Sequence, residues 1–159
     1  MKHLPKHIRP RWRYLAVHLE TWPDARLDRR TFQRHVWYAA QNLHGDPGGA
    51  DLDMKVIRFA FDDGIGHAIV RTRRGEEDRA RAALACLHEI DGESVGVRVA
   101  GISGTVRACE EKYIGRRRVK PTQRKVVFAG ADATAVERGS RVDVRLDGAF
   151  VGATELDLE

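Results

Sequence analysis

The order in which hydrophobic periodicity switches between about 2 and about 3.6 residues restricts the fold of this chain more than any other feature. Residues 13–20 alternate, with Leu15, Val17 and Leu19 on one side and Tyr14, Ala16 and His18 on the other, as a half-buried strand requires. Trp22-Pro23-Asp24 breaks that pattern, and Asp28 is a candidate cap for a helix over 28–43 with Phe32, Val36, Ala40 and Leu43 on one stripe. The run H-G-D-P-G-G at 44–49 is expected to end it. Residues 53–61 and 65–72 read as two strands of a hairpin turning at Asp62-Asp63-Gly64. A second helix follows, opened by Glu76-Glu77-Asp78, with Ala80, Ala83, Leu84, Leu87 and Ile90 as its buried face and Asp91-Gly92 as its stop. Val95, Val97 and Val99 then mark another strand.

The order β-α-β-β-α-β predicts an α+β, ferredoxin-like (RNA-recognition-motif-like) sandwich, an antiparallel sheet with both helices on one face. A further helix over 106–114 is the candidate cover for the other face. The expected organisation is a basic arm at 1–13, the core with its added helix at 14–115, a basic linker at 116–125, and an acidic β-rich extension at 126–159.

Charge is distributed unevenly over this plan. Residues 1–18 carry +5, 19–103 carry −2, 104–125 carry +6 and 126–159 carry −4, for a formal net of +5. Two basic segments around a near-neutral body point to a polyanionic partner. Arginine outnumbers lysine 22 to 6, which suits phosphate recognition and is also what a GC-rich genome would produce. Between the strand and the added helix, Gly101 and Gly104 permit close backbone approach, Ser103 or Thr105 can cap the helix, and Arg107 lies in its first turn. Free N–H groups at such a helix start favour phosphate, although the same turn also serves as a plain helix cap.

Other chemistry is missing from the sequence. No apolar run has the length of a membrane span, and the N-terminus lacks the apolar region of a signal peptide, so a cytoplasmic protein with no membrane partner is expected. Cys86 and Cys109 have no paired spacing and are expected as buried, reduced thiols. His3 and His7 are separated by Pro5, the other histidines are scattered singly, and Asp62-Asp63 reads as a turn, so no metal site is expected. Motifs of nucleotide binding, serine hydrolysis and zinc proteolysis are absent, and no catalytic residue is assigned. The third strand, G-H-A-I-V-R-T at 66–72, also lacks the stacking aromatics of an RNA-recognition motif. Only Tyr14, on the first strand, is placed to stack a base, so contact through phosphates and RNA shape is favoured. Trp12 reads as part of the arm's contact surface, Trp22 as a strand end, and Trp37 as core or interface.

Four segments carry a resemblance: L-P-x-x-x-R-P-R-W-R-Y-L-A-V from Leu4, W-Y-A-A-Q-N-L-H-G from Trp37, A-L-A-C-L-H-E-I-D-G from Ala83, and G-I-S-G-T-V-R-A-C-E-E-K-Y-I from Gly101. Over about residues 4–118 the chain resembles the ribonuclease P protein component 2 family, the archaeal counterpart of a subunit shared by eukaryotic ribonucleases P and MRP. From Val119 onward it departs from the family's shorter members. The resemblance implies an accessory, noncatalytic subunit of an endoribonuclease that removes the 5′ leader from precursor tRNA. It implies that the ribonuclease P RNA performs the hydrolysis with its own Mg²⁺, the protein holding no cofactor. It also implies that the protein works with protein component 3 and other ribonuclease P proteins to stabilise the catalytic domain of that RNA.

Residues expected to contact RNA are Lys6, Arg9, Arg11, Arg13 and Tyr14 in the arm and first strand, and Ser103, Gly104, Thr105, Arg107, Lys112, Arg116, Arg117 and Arg118 in the turn, helix and basic run. The alternatives are a structured-RNA-binding or protein-interaction domain outside ribonuclease P, and a small standalone enzyme, for which no paired carboxylates or metal cluster can be assembled.

Overall fold

The computed structural model describes residues 4–115 and 119–158, and the chain divides into two compact units, residues 1–116 and 117–159. In the first unit, β1 (Trp12–Thr21), α1 (Arg29–Leu52), β2 (Lys55–Asp62), β3 (Ile65–Arg73), α2 (Glu77–Ala85), β4 (Glu89–Ile90) and β5 (Glu93–Ser103) lead into α3 (Val106–Cys109), which widens into a π turn at Glu110–Ile114. The strands form one antiparallel sheet in the order β2-β3-β1-β5-β4. Removing the short β4 leaves the ferredoxin-like arrangement expected from the sequence.

Both faces of this sheet are covered. Leu15, Val17 and Leu19 of β1, with Ala68 and Val70 of β3, pack against Phe32 and Val36 of α1 and Ala80, Ala83 and Leu84 of α2. On the opposite face Ala16 and Ile69 meet Cys109 of α3, bordered by Tyr14, Ala100, Val106, Tyr113 and Ile114. Each fully buried Val, Leu, Ile or Phe side chain contributes roughly 1.5–3 kcal/mol, so the α1 and α2 layer, which holds most of them, contributes more than the α3 layer with Ile69. A register shift in β5 opposite Ala16 and Val17 changes the alternation there, turning Ile102 toward the α1 and α2 layer while Gly101 faces α3.

Several boundaries differ from the expectation. Asp28 caps α1 by accepting from the Thr31 N–H at 2.8 Å, but 44–49 does not end the helix. Gly45, at φ 72°, breaks it, and a second helical stretch runs on through Pro47 to Leu52, where a proline near a helix start is tolerated. α2 stops at Ala85 rather than Ile90, because 89–90 pair with 93–94 as a small hairpin and Val95 N–H donates to the His88 carbonyl at 2.9 Å. Ile90 stays buried, now as a strand residue. Cys86, expected inside, is exposed at the end of α2, and Trp37 is 52% exposed with its indole N–H donating to the Met54 carbonyl. Trp12 and Arg13, assigned to the arm, already belong to β1, and Lys6–Ile8 form a short 3-10 turn.

The second unit is a four-stranded antiparallel meander of β6 (Thr122–Phe128), β7 (Ala131–Arg138), β8 (Arg141–Leu146) and β9 (Ala149–Ala153). The basic linker expected at 116–125 therefore ends early, since residues 122–125 pair with β7. Val126, Ala135, Val142 and Val144 form its core, bordered by Phe128, Leu146, Ala153 and Leu158, and Leu158 makes an antiparallel bridge to Phe128. Among the described residues, four hairpins close on consecutive residues at positive φ: Asp63-Gly64, Asp91-Gly92, Ala129-Gly130 and Asp147-Gly148. Such a pair matches the twist of the flanking strands.

Candidate nucleic-acid interface

Antiparallel pairing brings the arm's end and the turn after β5 to the same end of the sheet. Tyr14 stands opposite Ser103 across β1 and β5, and opposite Arg71 across β1 and β3. Arg13 faces Thr72, Trp12 faces Arg73, and Arg74 N–H donates to the Arg11 carbonyl at 2.9 Å, so the pairing continues past the strand ends. Arg11, Arg13, Arg71, Arg73 and Arg74 thus lie at the end of the sheet where Gly104 and Thr105 follow β5, with Arg71 and Arg73 on the face of Trp12 and Tyr14, Arg13 on the α2 face beside Gly104, and Arg107 in the following helical turn.

Local contacts fix several of these side chains. Arg13 Nε lies 3.3 Å from Glu77 Oε1 on α2. A Cβ on Gly104 would approach the Arg13 guanidinium to 3.4 Å, so the missing side chain leaves the arginine room beside the turn. The Arg71 guanidinium stacks 3.7 Å over the Trp12 ring, and Asp53 lies 3.7 and 3.8 Å from Arg71 and Arg73. Trp12 is therefore half-buried beneath an arginine rather than loose on an arm.

Thr105 is the helix cap, accepting from the Ala108 N–H at 3.1 Å, while Ser103 is buried in β5. Arg107 is exposed and sits 2.8 Å from Glu111 one turn on, and Lys112 is exposed beside it. Arg9 Nε donates to the Leu4 carbonyl at 2.8 Å, and Lys6 is exposed on the 3-10 turn. Tyr14 is half-buried along the α3 layer, its carbonyl accepting from the Cys109 thiol. Arg116, Arg117 and Arg118 lie outside the described residues.

β3 and the residue that follows it contribute three arginines absent from the residues expected to contact RNA, Arg71, Arg73 and Arg74. Their signal is R-T-R-R at 71–74, which reads as a strand end until β1 pairs with it. The cluster suits the planar, bidentate recognition of phosphate by arginine. Burial, reinforced by Glu110, pushes the Cys109 thiol up to about 11, which keeps it protonated and inert. Among the described residues no group of three or more His, Cys, Asp or Glu is placed to hold a metal ion, and no helix is long and apolar enough to cross a membrane.

The family model described as Rpp14/Pop5 family matches residues 13–114, which include the first unit's sheet apart from Trp12, both helical layers, and Arg13, Arg71, Arg73, Arg74 and Arg107. The chain belongs to the Rpp14/Pop5 family. Rpp14/Pop5 proteins are protein subunits of ribonuclease P and MRP. Relatives named ribonuclease P protein component 2 include one from Natronomonas pharaonis, 61% identical over 99% of this chain and 98% of its own. Another, from Haloarcula marismortui, is 63% identical over 99% of each chain. That from Methanothermobacter thermautotrophicus is 33% identical over 72% of this chain and 94% of its own. A chain in a cryo-EM structure of yeast ribonuclease MRP superposes with a TM-score of 0.47 and 16% identity, over 61% of this chain and 76% of that one.

Proposed function

We propose that this protein is a noncatalytic subunit of ribonuclease P that binds the ribonuclease P RNA and, with protein component 3, stabilises its catalytic domain for removal of the 5′ leader from precursor tRNA in the cytoplasm. The observation that carries the RNA contact is the convergence of Arg11, Arg13, Arg71, Arg73 and Arg74 with the Gly104-Thr105 turn at one sheet end. The names of the relatives support the assembly. With α3 lying over the sheet face where an RNA-recognition motif stacks bases, the phosphate backbone is the natural target. In this reading the Mg²⁺ of the reaction belongs to the RNA and the protein holds no cofactor of its own.

The test is cleavage of a precursor tRNA by the cognate RNA at limiting Mg²⁺, with and without this protein plus component 3, and with the protein alone. RNA-dependent rescue is the expected result, and cleavage by the protein alone would overturn the noncatalytic reading. Binding should also weaken with salt: neutralising about six phosphates makes log K fall with log salt at a slope of roughly −4 to −5. Exchanging Arg11 and Arg107 for glutamate should weaken RNA binding and flatten that slope, with the circular-dichroism spectrum unchanged. Wild-type affinity in that variant would remove the sheet end as the contact.

A further inference from the structure

α1 ends on a carboxylate. Asp53 closes the helix at φ 45° and ψ 51°, its backbone N–H donating to the Gly49 carbonyl at 3.2 Å. Asparagine or glycine adopts this left-handed conformation as readily and brings no charge. A negative charge at a helix C-terminus also meets the free carbonyls of the last turn, which together carry about half a negative charge and favour a cation there. Two local preferences thus speak against aspartate at this position.

The surrounding backbone does not need the carboxylate either. The Leu52 carbonyl accepts from the Thr72 hydroxyl at 2.8 Å, the Met54 carbonyl accepts from the Trp37 indole N–H at 2.8 Å, and the Leu52 and Met54 side chains are buried. Both neighbours of Asp53 are therefore fixed without its side chain. What the carboxylate meets is a pair of arginines: Oδ1 lies 3.7 Å from Arg71 Nη2, and Oδ2 lies 3.8 Å from Arg73 Nη2. Both distances exceed the roughly 2.7–2.9 Å of a charge-assisted hydrogen bond, so Asp53 attracts the two guanidinium groups without taking their N–H donors. Arg71 is also held by the Trp12 ring at 3.7 Å, and its Nε is buried without a hydrogen-bond partner. Lys55, opposite Arg71 on β2, is exposed on the same face of the sheet.

We infer that Asp53 sets the specificity of the arginine end, as a resident counter-charge that holds Arg71 and Arg73 at the spacing of one phosphate and weakens binding that rests on charge alone. A carboxylate approached by both guanidinium groups marks a place that one phosphate can fill, with the fork of each arginine still open to donate. An RNA that brings a phosphate to that place finds its donors already set. An RNA held only by the basic field meets the repulsion from Asp53 and gains nothing from the placement. Asp53 is thus a positioning residue rather than a ligand of the RNA. The inference rests on the reading of this sheet end as an RNA contact.

The full chain and its Asp53→Asn variant are titrated at one salt concentration with the cognate ribonuclease P RNA and with an RNA duplex of unrelated sequence. Binding of the duplex should tighten about threefold, the worth of one unit charge at about 7 Å in water. Binding of the cognate RNA should not tighten, because the freedom the two arginines regain offsets the lost repulsion. The ratio of the two affinities therefore falls, while the melting temperature is no lower, since asparagine suits φ 45°. Arg71→Lys keeps the charge and removes the planar fork, and should weaken the cognate RNA about tenfold while leaving the duplex unchanged. In variants folded by circular dichroism, Asp53→Asn tightening both RNAs equally or neither overturns the inference, as does Arg71→Lys weakening both alike. The sheet-end reading is judged separately, by the Arg11→Glu, Arg107→Glu variant on the cognate RNA: wild-type affinity there removes the contact itself, whereas weak binding there with an unchanged ratio in Asp53→Asn removes only the role of Asp53.

Discussion

Gly101 lies in β5 beneath the Tyr113 ring, and a Cβ there would come within 2.2 Å of two ring atoms. Its backbone is ordinary strand; what excludes a side chain is the close approach of the turn that follows α3. Gly101→Ala should therefore lift Tyr113 off the sheet and cost about 1–3 kcal/mol, measured by denaturant unfolding. Combined with Tyr113→Ala the loss should be smaller than the sum of the single losses, because the two residues share one contact. A fully additive pair would show that the ring does not set the requirement. Of the two glycines singled out at this turn, Gly101 is thus held by packing, while Gly104 has open space apart from Arg13.

α1 is tied to the β4–β5 hairpin through Asp91. Arg34 Nη2 lies 2.9 Å and His35 Nε2 2.7 Å from its carboxylate. The hydrogen bond to His35, then that from Arg34, holds the Asp91 carboxyl below its ordinary value of 3.8. A folded-state value below the unfolded one means that the contact stabilises above the ordinary carboxylate range, and that this contribution is lost as pH falls through the folded value. Asp91→Asn, which keeps a residue tolerant of φ 49°, should lower the melting temperature at neutral pH, with the difference shrinking as the medium is acidified. A difference independent of pH would mean that the carboxylate charge is not what ties the elements. The same hairpin explains why α2 was expected to be too long. Leu87 and Ile90 lie at helical spacing, and only pairing of 89–90 with 93–94 makes them strand and connection. Likewise Gly45 and Pro47 read as a helix stop, whereas Gly48 packs so closely on His44 and Arg79 that a Cβ would meet them at 2.5 and 2.6 Å, seating the second helical stretch beside α2.

Each of the two units has its own hydrophobic cluster, with Leu15, Phe32 and Val70 in one and Val126, Ala135 and Val144 in the other. A chain ending at Arg116 should accordingly keep its near-ultraviolet circular dichroism and unfold cooperatively, whereas loss of that signal would mean that the first unit does not fold by itself. The order of strands and helices was legible because each element announces its period: Leu15, Val17 and Leu19 alternate, and Phe32, Val36 and Ala40 recur on one helical stripe, whatever they eventually touch. Charge segregation was legible for the same reason, being a property of composition along the chain. The contact surface was not. Arg71, Arg73 and Arg74 lie some sixty positions from Arg11 and Arg13, so no local pattern connects them. The sequence alone determined which segments are strands and helices, since backbone periodicity is a local preference. Only the tertiary structure decided which arginines share an end of the sheet, because strand register, set by burial on both faces of the sheet, places residues distant in the chain side by side.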